Sequence, residues 1–173
     1  MTEKLILAVD LGTSGMKVAL ITLSGKVLDW EVEPVHLLIT PDGGAEQSPS
    51  EWWQAFLSAT GRLLKRKQDV GPRVEAVCCS TQGEGTVPVD KNGNALGNCI
   101  LWMDMRGAHH LKKQLGGLVN IDGASIDKVL RFVRLTGGMP SMTGKDPAGH
   151  MLFIRDTQPE IYTQTYKFLN VLD

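Results

Sequence analysis

The sequence predicts an α/β domain whose sheet opens in an antiparallel three-strand meander. Three observations predict it. Five apolar residues, Leu5 to Val9, pass through the polar turn Asp10-Leu-Gly-Thr-Ser-Gly15 into a second β-rich run, Met16 to Thr22. The stretch after Ser48 carries apolar residues at helical spacing. A third apolar run, Val74 to Ser80, leads straight into the glycine-flexed polar loop Thr81-Gln-Gly-Glu-Gly-Thr86. Open α/β sheets bind ligands at such strand ends.

Taken in order, Ser24-Gly25-Lys26 is a turn and Val27 to Ile39 supplies the third strand, broken by Thr40-Pro-Asp-Gly-Gly44. Ser48-Pro49-Ser50-Glu51 is a helix start, with a hydroxyl cap, proline at the first helical position and Glu three residues after the cap. Trp52, Trp53, Phe56, Leu57, Thr60, Leu63 and Leu64 then repeat at helical spacing, and both tryptophans are expected in the core. Lys65-Arg66-Lys67 reads as a solvated helix end that suits the dipole. After Pro72, Val74 to Ser80 is apolar enough to be a central strand. Val87 to Leu96 reads as strand, Asn-Gly turn and return strand. Ile100 to Arg106 passes from apolar strand to a charged pair at a helix start. Helices are expected over Met105–Leu115 (ending at Gly116-Gly117), over Ser125–Leu135 with Gly137 as its stop, over Ala148–Arg155, and from Pro159 onward. In the third of these spans' predecessor, Ile126, Val129, Leu130 and Val133 share a face. Lys167 to Leu172 is a terminal strand, and an apolar β run at the very end suggests a fragment.

At 173 residues the chain is long enough for one domain with a sizeable core. A net charge of −1 offers no electrostatic case for nucleic acid or for an anionic membrane. The longest apolar runs are strand-sized, so no transmembrane span or signal peptide is predicted. Cys78 and Cys79 are adjacent on a strand and so point to opposite faces; with Cys99 they lack zinc spacing. Buried reduced thiols in a cytoplasmic protein are expected.

The chemistry is concentrated in the first turn. Its glycines allow close backbone approach to a ligand, and its hydroxyls and N–H groups suit an anion. Asp10, at the end of the strand, would repel a bare phosphate, so the combination suggests a nucleoside triphosphate with Mg²⁺. On the turn alone, an ordinary hairpin rich in Gly, Thr and Ser stays open. A dinucleotide fingerprint is excluded because G-x-G-x-x-G is not spelled and a strand follows rather than a helix. No G-x-x-x-x-G-K-[ST] occurs anywhere in the chain.

Asp10-Leu-Gly-Thr-Ser-Gly15 resembles the first phosphate motif of the actin-like ATPase superfamily. The loop Gln82-Gly-Glu-Gly85, the hairpin after it and Trp102-Met-Asp-Met-Arg106 resemble the N-terminal domain of the FGGY carbohydrate kinases. So do Asp146 to Arg155, Gln158 to Tyr162 and Lys167 to Leu169, and the likeness spans nearly the whole chain. It implies an RNase H-like α/β domain with a mixed central sheet and helices on both faces, the first of two domains that close over sugar and ATP. The family transfers the γ-phosphoryl group of ATP to a sugar or polyol hydroxyl. On that resemblance Asp10 helps hold Mg²⁺, and Gly12, Thr13, Ser14, Gly15 and Lys17 serve the nucleotide phosphates. Gln82, Gly83, Glu84 and Asp104 would face the sugar, since carboxylates accept hydrogen bonds from several hydroxyls.

Two departures shape the expectation. Glycerol kinases carry Arg where Gly83 stands, and xylulokinases carry Met-His where Gly83-Glu84 stand, so neither pattern is met; a pentulose such as xylulose is favoured from Asp10-Leu-Gly-Thr-Ser14. The family's catalytic aspartate and adenine pocket come later than residue 173, so residues 1–173 are expected to be a kinase domain truncated before its base, inactive alone, without the C-terminal nucleotide-binding domain. Asp104, Asp122 and Asp127 do not resemble the base's motif, which leaves no catalytic residue in the chain. Expected partners are a sugar or polyol, with homodimerisation left open, and neither nucleic acid nor membrane. The competing reading is an actin-like or chaperone-like ATPase domain that couples nucleotide state to partner binding; it shares Asp10, Gly12 and Thr13 but leaves the Gln82 loop and the Trp102–Arg106 segment unexplained.

Overall fold

The N-terminal apolar run forms β1 (Leu5–Gly12), which pairs antiparallel with β2 (Gly15–Thr22) from Leu5↔Thr22 to Gly12↔Gly15. β3 (Val27–Pro34) continues the meander beside β2. The third strand stops at Pro34 rather than reaching Ile39, because proline has no N–H for the ladder. Leu38–Ile39 instead becomes β4, hydrogen-bonded to β5 (Ala45–Gln47). After α1 (Pro49–Arg66) and a 3₁₀ turn, β6 (Val74–Thr81) returns parallel to β1. The sheet order is β3-β2-β1-β6, a mixed sheet as expected. This computed structural model describes residues 3–117, 120–121, 124–139 and 142–173. The chain divides into two compact units. The first holds residues up to Leu37, Gln47–Gln82 and Leu172–Asp173; the second holds Leu38–Glu46 and Gly83–Val171.

The core of the first unit follows from strand alternation. Leu5, Leu7, Val9 and Leu11 on β1 share a face, by register, with Met16, Val18 and Leu20 on β2, and all seven are buried. Helix α1 packs on β2 and β3 and buries Trp52, Ala55, Ala59 and Leu63. Trp53 does not join them: its indole is exposed and stacks beside Phe56, because it lies off the stripe that Trp52 to Leu63 define. The capping box also fails to form. Ser48 Oγ pairs with Ser50 Oγ at 2.9 Å, and the Glu51 carboxylate accepts from the His36 backbone N–H at 3.0 Å. Arg66 is not merely solvated. It joins Arg62 in lacing α1 to β3, with Arg62 Nε 2.9 Å from Glu31 and Arg66 bonded to Asp29 and Glu31. The guanidiniums hold the Asp29, Glu31 and Glu33 carboxyls below their usual range.

Strand β6 corrects another expectation. It is an edge strand whose residues Glu75–Ser80 are exposed, so Cys78 and Cys79 are exposed rather than buried. Among the described residues β6 is flanked by β1 alone, and α1 packs on the other strands. On the face opposite α1, Ala8, Ala19, Val27, Trp30 and Cys78, together with Asp10 and Lys17, line an open hollow of about 600 Å³.

In the second unit, β4 and β5 are joined by β8 (Cys99–Ile100), while β7 (Val87–Val89) pairs with β11 (Lys167–Leu169). The Asn-Gly turn is present, with Gly93 at φ 84° and Asp90 accepting from the Asn92 and Asn94 N–H groups, but the return strand shrinks to a bridge at Ala95. Helix α2 (Gly107–Leu115), a short hairpin of β9 (Asn120–Ile121) and β10 (Ala124–Ser125), α3 (Ile126–Thr136), α4 (Pro147–Thr157) and α5 (Pro159–Gln164) complete it. The four helices fall where periodicity and proline place them. Gly137 ends α3 at φ 76°, its N–H bonded to Val133 O. Helices α2 and α4 pack closely because three glycines meet there: a Cβ on Gly107 would lie 2.5 Å from Gly149 C, and one on Gly149 would lie 2.6 Å from Gly144 O. Cys99 is buried as expected, and desolvation pushes its thiol up to about 12. Asp122 lies outside the described residues.

Leu63 carries the α1 contact with no exposed surface. Leu63→Ala should lower unfolding stability by about 2–5 kcal/mol, whereas Leu57→Ala, at an exposed position of the same helix, should change it by less than about 0.5 kcal/mol. Urea titration checks this; equal losses would mean that α1 does not pack by the Trp52–Leu63 stripe.

Candidate functional site

In the first unit the hairpin closes at Gly12↔Gly15, which leaves Thr13 and Ser14 as its two turn residues. The two glycines are not equivalent. A Cβ on Gly15 would sit 2.7 Å from Glu33 O, so Gly15 is needed for the close approach of β3. A Cβ on Gly12 would meet only Gly15 O and Lys17 Nζ, both at 3.6 Å, an ordinary contact. Ser14 is exposed, while Thr13 and Gly12 are half-buried.

Asp10 and Lys17 are cross-strand partners on the face away from α1, with Lys17 Nζ 2.9 Å from Asp10 Oδ2. Both side chains are about half exposed, 46% for Asp10 and 55% for Lys17, so the pair is accessible and weakly held. Among the described residues no group of three or more His, Cys, Asp or Glu side chains could hold a metal. The donor set around Asp10 is therefore one carboxylate beside a turn of hydroxyls and N–H groups. It suits Mg²⁺, which keeps water and phosphate ligands and takes only one or two carboxylates from protein.

The turn is fastened from beneath by side-chain amides. Thr13 Oγ1 donates to Gln82 Oε1 at 2.9 Å, Gln82 Nε2 donates to Gln47 Oε1 at 2.8 Å, and Gln47 Nε2 donates to Thr13 O at 2.7 Å. These three bonds close a ring. Trp52 Nε1 adds a fourth at 3.3 Å to Gln47 Oε1, and the Gln82 N–H continues the β1 ladder with 2.8 Å to Leu11 O. Gln47 has no exposed surface. Sequence reasoning brings Thr13 and Gln82 forward but misses Gln47; the available signal is a polar amide immediately before a helix cap, flanked by residues with no motif of their own.

In the second unit Gly83 and Glu84 are exposed, and Glu84 sits at φ 54°, the described non-glycine residue with positive φ. That left-handed backbone is uncommon for a side chain with a Cβ, and such conformations cluster at functional sites. Asp104, expected to face the sugar, is fully buried. Its carboxylate accepts from the Ala45 N–H at 2.9 Å, the Arg106 N–H at 2.9 Å and Arg106 Nη2 at 2.6 Å, which leaves no exposed edge for a hydroxyl. Arg106 also reaches Glu46 Oε1 at 2.5 Å and lies 4.4 Å over the Phe153 ring. Burial disfavours the guanidinium, but the bonds to Asp104 and Glu46 outweigh it and raise its affinity for the proton. Trp102-x-Asp104-x-Arg106 is thus a buried ion-pair anchor tying β5 to the start of α2. Nearby, His150 is buried with Nδ1 3.0 Å from Thr86 Oγ1, and desolvation pushes it down to about 4 against the pull of Asp104. Asp127 is engaged with Ser125 Oγ at the start of α3.

The profile described as the FGGY family of carbohydrate kinases, N-terminal domain, matches residues 5–171. A xylulose kinase of Staphylococcus epidermidis is 32% identical over 108 residues, covering 62% of this chain and 22% of that protein. A gluconokinase of Bacillus subtilis is 33% identical over 116 residues, covering 65% of this chain and 22% of that protein. Among solved structures, a xyloylose kinase from Brucella ovis superposes with a TM-score of 0.82 at 22% identity, over 96% of this chain and 32% of that one. The actin-like α/β fold is therefore shared, and the chain spans less than a third of the length of these relatives.

Gly15→Ala should destabilise the protein by about 1–3 kcal/mol through the contact with Glu33 O, while Gly12→Ala should leave the melting temperature nearly unchanged; the reverse order in thermal melts would overturn the assignment of their roles. His150 supplies a pH test. Its folded pKa lies below its unfolded value, so the unfolded chain binds the extra proton and stability falls as pH drops from about 6.5 toward 4, by at most on the order of 3 kcal/mol. Urea midpoints measured between pH 6.5 and 5 should fall less steeply in His150→Gln; an unchanged slope would mean that His150 is not held neutral.

Proposed function

The chain belongs to the FGGY family of carbohydrate kinases, and from that membership we propose that the full-length protein transfers the γ-phosphoryl group of ATP to a hydroxyl of a sugar or polyol. The observation that carries this reading is the hairpin turn at Thr13-Ser14, with Ser14 exposed, the Asp10 carboxylate beside it and Gln82 bonded to Thr13. Asp10 would hold Mg²⁺, which when bound would neutralise developing charge on the phosphate. The chain's own residues do the rest of the binding. Gly12 leaves room for close approach, the Thr13 and Ser14 hydroxyls and the Gly15 N–H donate to phosphate oxygens, and Lys17 turns from Asp10 to the phosphates. Gln82, Gly83 and Glu84 form the acceptor-side wall, where carbonyl and carboxylate oxygens accept from sugar hydroxyls. Asp104 is left out of this wall, because its carboxylate is taken up by Ala45 and Arg106. The general base is assigned to none of these residues.

For the acceptor, a pentulose such as xylulose is the first choice and gluconate the second, supported by the xylulose kinase and gluconokinase relatives. Sugar-dependent ADP release should be measured on the full-length protein with Mg²⁺-ATP and a panel of ketopentoses, hexuloses, polyols and gluconate. Turnover that ignores every acceptor but rises with a peptide or with filament assembly would instead support an ATPase that couples nucleotide state to partner binding. With the acceptor in hand, Asp10→Ala should lower kcat/KM by about 100-fold or more, with the melting temperature preserved. Glu84→Ala should chiefly raise the sugar KM, by about 10-fold; an unchanged KM would remove Glu84 from the sugar wall.

A further inference from the structure

We infer that Gln47 is a positioning residue that couples nucleotide binding to sugar binding, through the single hydroxyl proton that Thr13 gives to Gln82. The inference rests on the proposed roles of Thr13 and Gln82. It starts from a proton count. A threonine hydroxyl has one hydrogen to donate, and here it is directed to Gln82 Oε1 at 2.9 Å. If the Thr13 hydroxyl donates to a phosphate oxygen, that bond is lost and the half-buried Gln82 Oε1 is left without this donor. A sugar hydroxyl donating to Gln82 Oε1 replaces it. A sugar hydroxyl donating to Gln82 Oε1, whose carbonyl has two acceptor positions, keeps that oxygen paired when the Thr13 proton turns to phosphate. The sugar therefore lowers the cost of moving the Thr13 proton to phosphate, the nucleotide strengthens sugar binding by the same factor, and the coupling has a positive sign.

Such an exchange works only if Gln82 cannot turn its amide to escape it. Gln47 provides that restraint. Its Oε1 accepts from Gln82 Nε2 at 2.8 Å, which fixes Gln82 with Oε1 toward Thr13, and its Nε2 donates to Thr13 O at 2.7 Å, which fixes the turn. Gln47 is itself fully buried and is held by Trp52 Nε1 at 3.3 Å. One rigid amide plane thus grips both partners of the exchangeable bond. Gln47 touches neither ligand in this scheme and acts through Thr13 and Gln82.

The test measures the coupling factor in the full-length kinase: the Kd of the non-hydrolysable analogue AMP-PNP with Mg²⁺, without sugar and with saturating amounts of the best acceptor from the screen. The wild type should bind the analogue about 5–150-fold more tightly with sugar present, the usual range of such couplings. Gln47→Met removes the amide but keeps the length, and should bring the factor close to 1. Gln47→His divides donor and acceptor between its two ring nitrogens and should recover most of it. A purely structural role would weaken both ligands without changing their ratio. Should Gln47→Met fail to fold, Trp52→Phe, which frees one of the four bonds, should lower the factor part of the way. A sugar-dependent kinase with a wild-type factor of 1, or with a factor unaltered in these variants, overturns the inference alone. Absence of turnover with every acceptor overturns the functional reading and this inference with it.

Discussion

A primary amide cannot be taken out of water without partners, because each unpaired polar atom costs on the order of 1–3 kcal/mol. Gln47 has no exposed surface, so its neighbours had to be arranged around it: Thr13 from the first hairpin, Gln82 from the end of β6 and Trp52 from the first turns of α1. That requirement ties together three stretches far apart in the chain. It sets where the hairpin turn stands relative to β1 and β6, and therefore where its hydroxyls can meet a ligand. The burial of Leu5, Leu7, Val9 and Leu11 beside β2, and of the α1 stripe on β2 and β3, supplies most of the driving force but little directional information. The amide ring supplies the direction.

The second unit solves a similar problem with charge. The cost of burying Asp104 is offset because Arg106 and two backbone N–H groups meet its oxygens, and Glu46 and the Phe153 ring complete the surroundings of the guanidinium. Removing one member of such a group leaves an uncompensated buried charge, so it acts as a fixed anchor. The residues left free for chemistry are the ones these anchors do not consume: exposed Ser14, Lys17 and Asp10 in one unit, and exposed Gly83 and Glu84 in the other. Glu84 is held in a left-handed backbone at that loop, where a residue other than glycine needs a reason to stay.

The apolar runs, the proline helix starts and the Gly137 stop are local signals, and the strands and helices they mark stand where those signals place them. The meander and the parallel return of β6 follow as well, since short turns force antiparallel neighbours and the α1 crossover permits a parallel one. The Asp10–Gly15 turn was equally legible as a turn, because its polar residues and two glycines interrupt two apolar runs. The misreadings arose where a distant partner or a strand's place in the sheet decided the outcome. Glu51 satisfied His36 rather than its own helix cap, Trp53 fell off the buried stripe, and β6 stood at an edge with its thiols exposed.

What the sequence determined by itself is therefore the opening meander, the helices and their order, and where the polar Asp10–Gly15 turn and Gln82–Glu84 loop fall. Tertiary structure alone decided which polar residues are spent on support. Asp104 and Gln82 look alike as candidate ligand groups, yet one is sealed in an ion pair and the other is bonded to Thr13 of the hairpin turn. Gln47 carries no motif and becomes central only when residues 13, 47 and 82 meet. Spacing along a chain fixes the periodicity of a helix or strand, whereas the partner of a buried donor or acceptor depends on which distant segment arrives beside it.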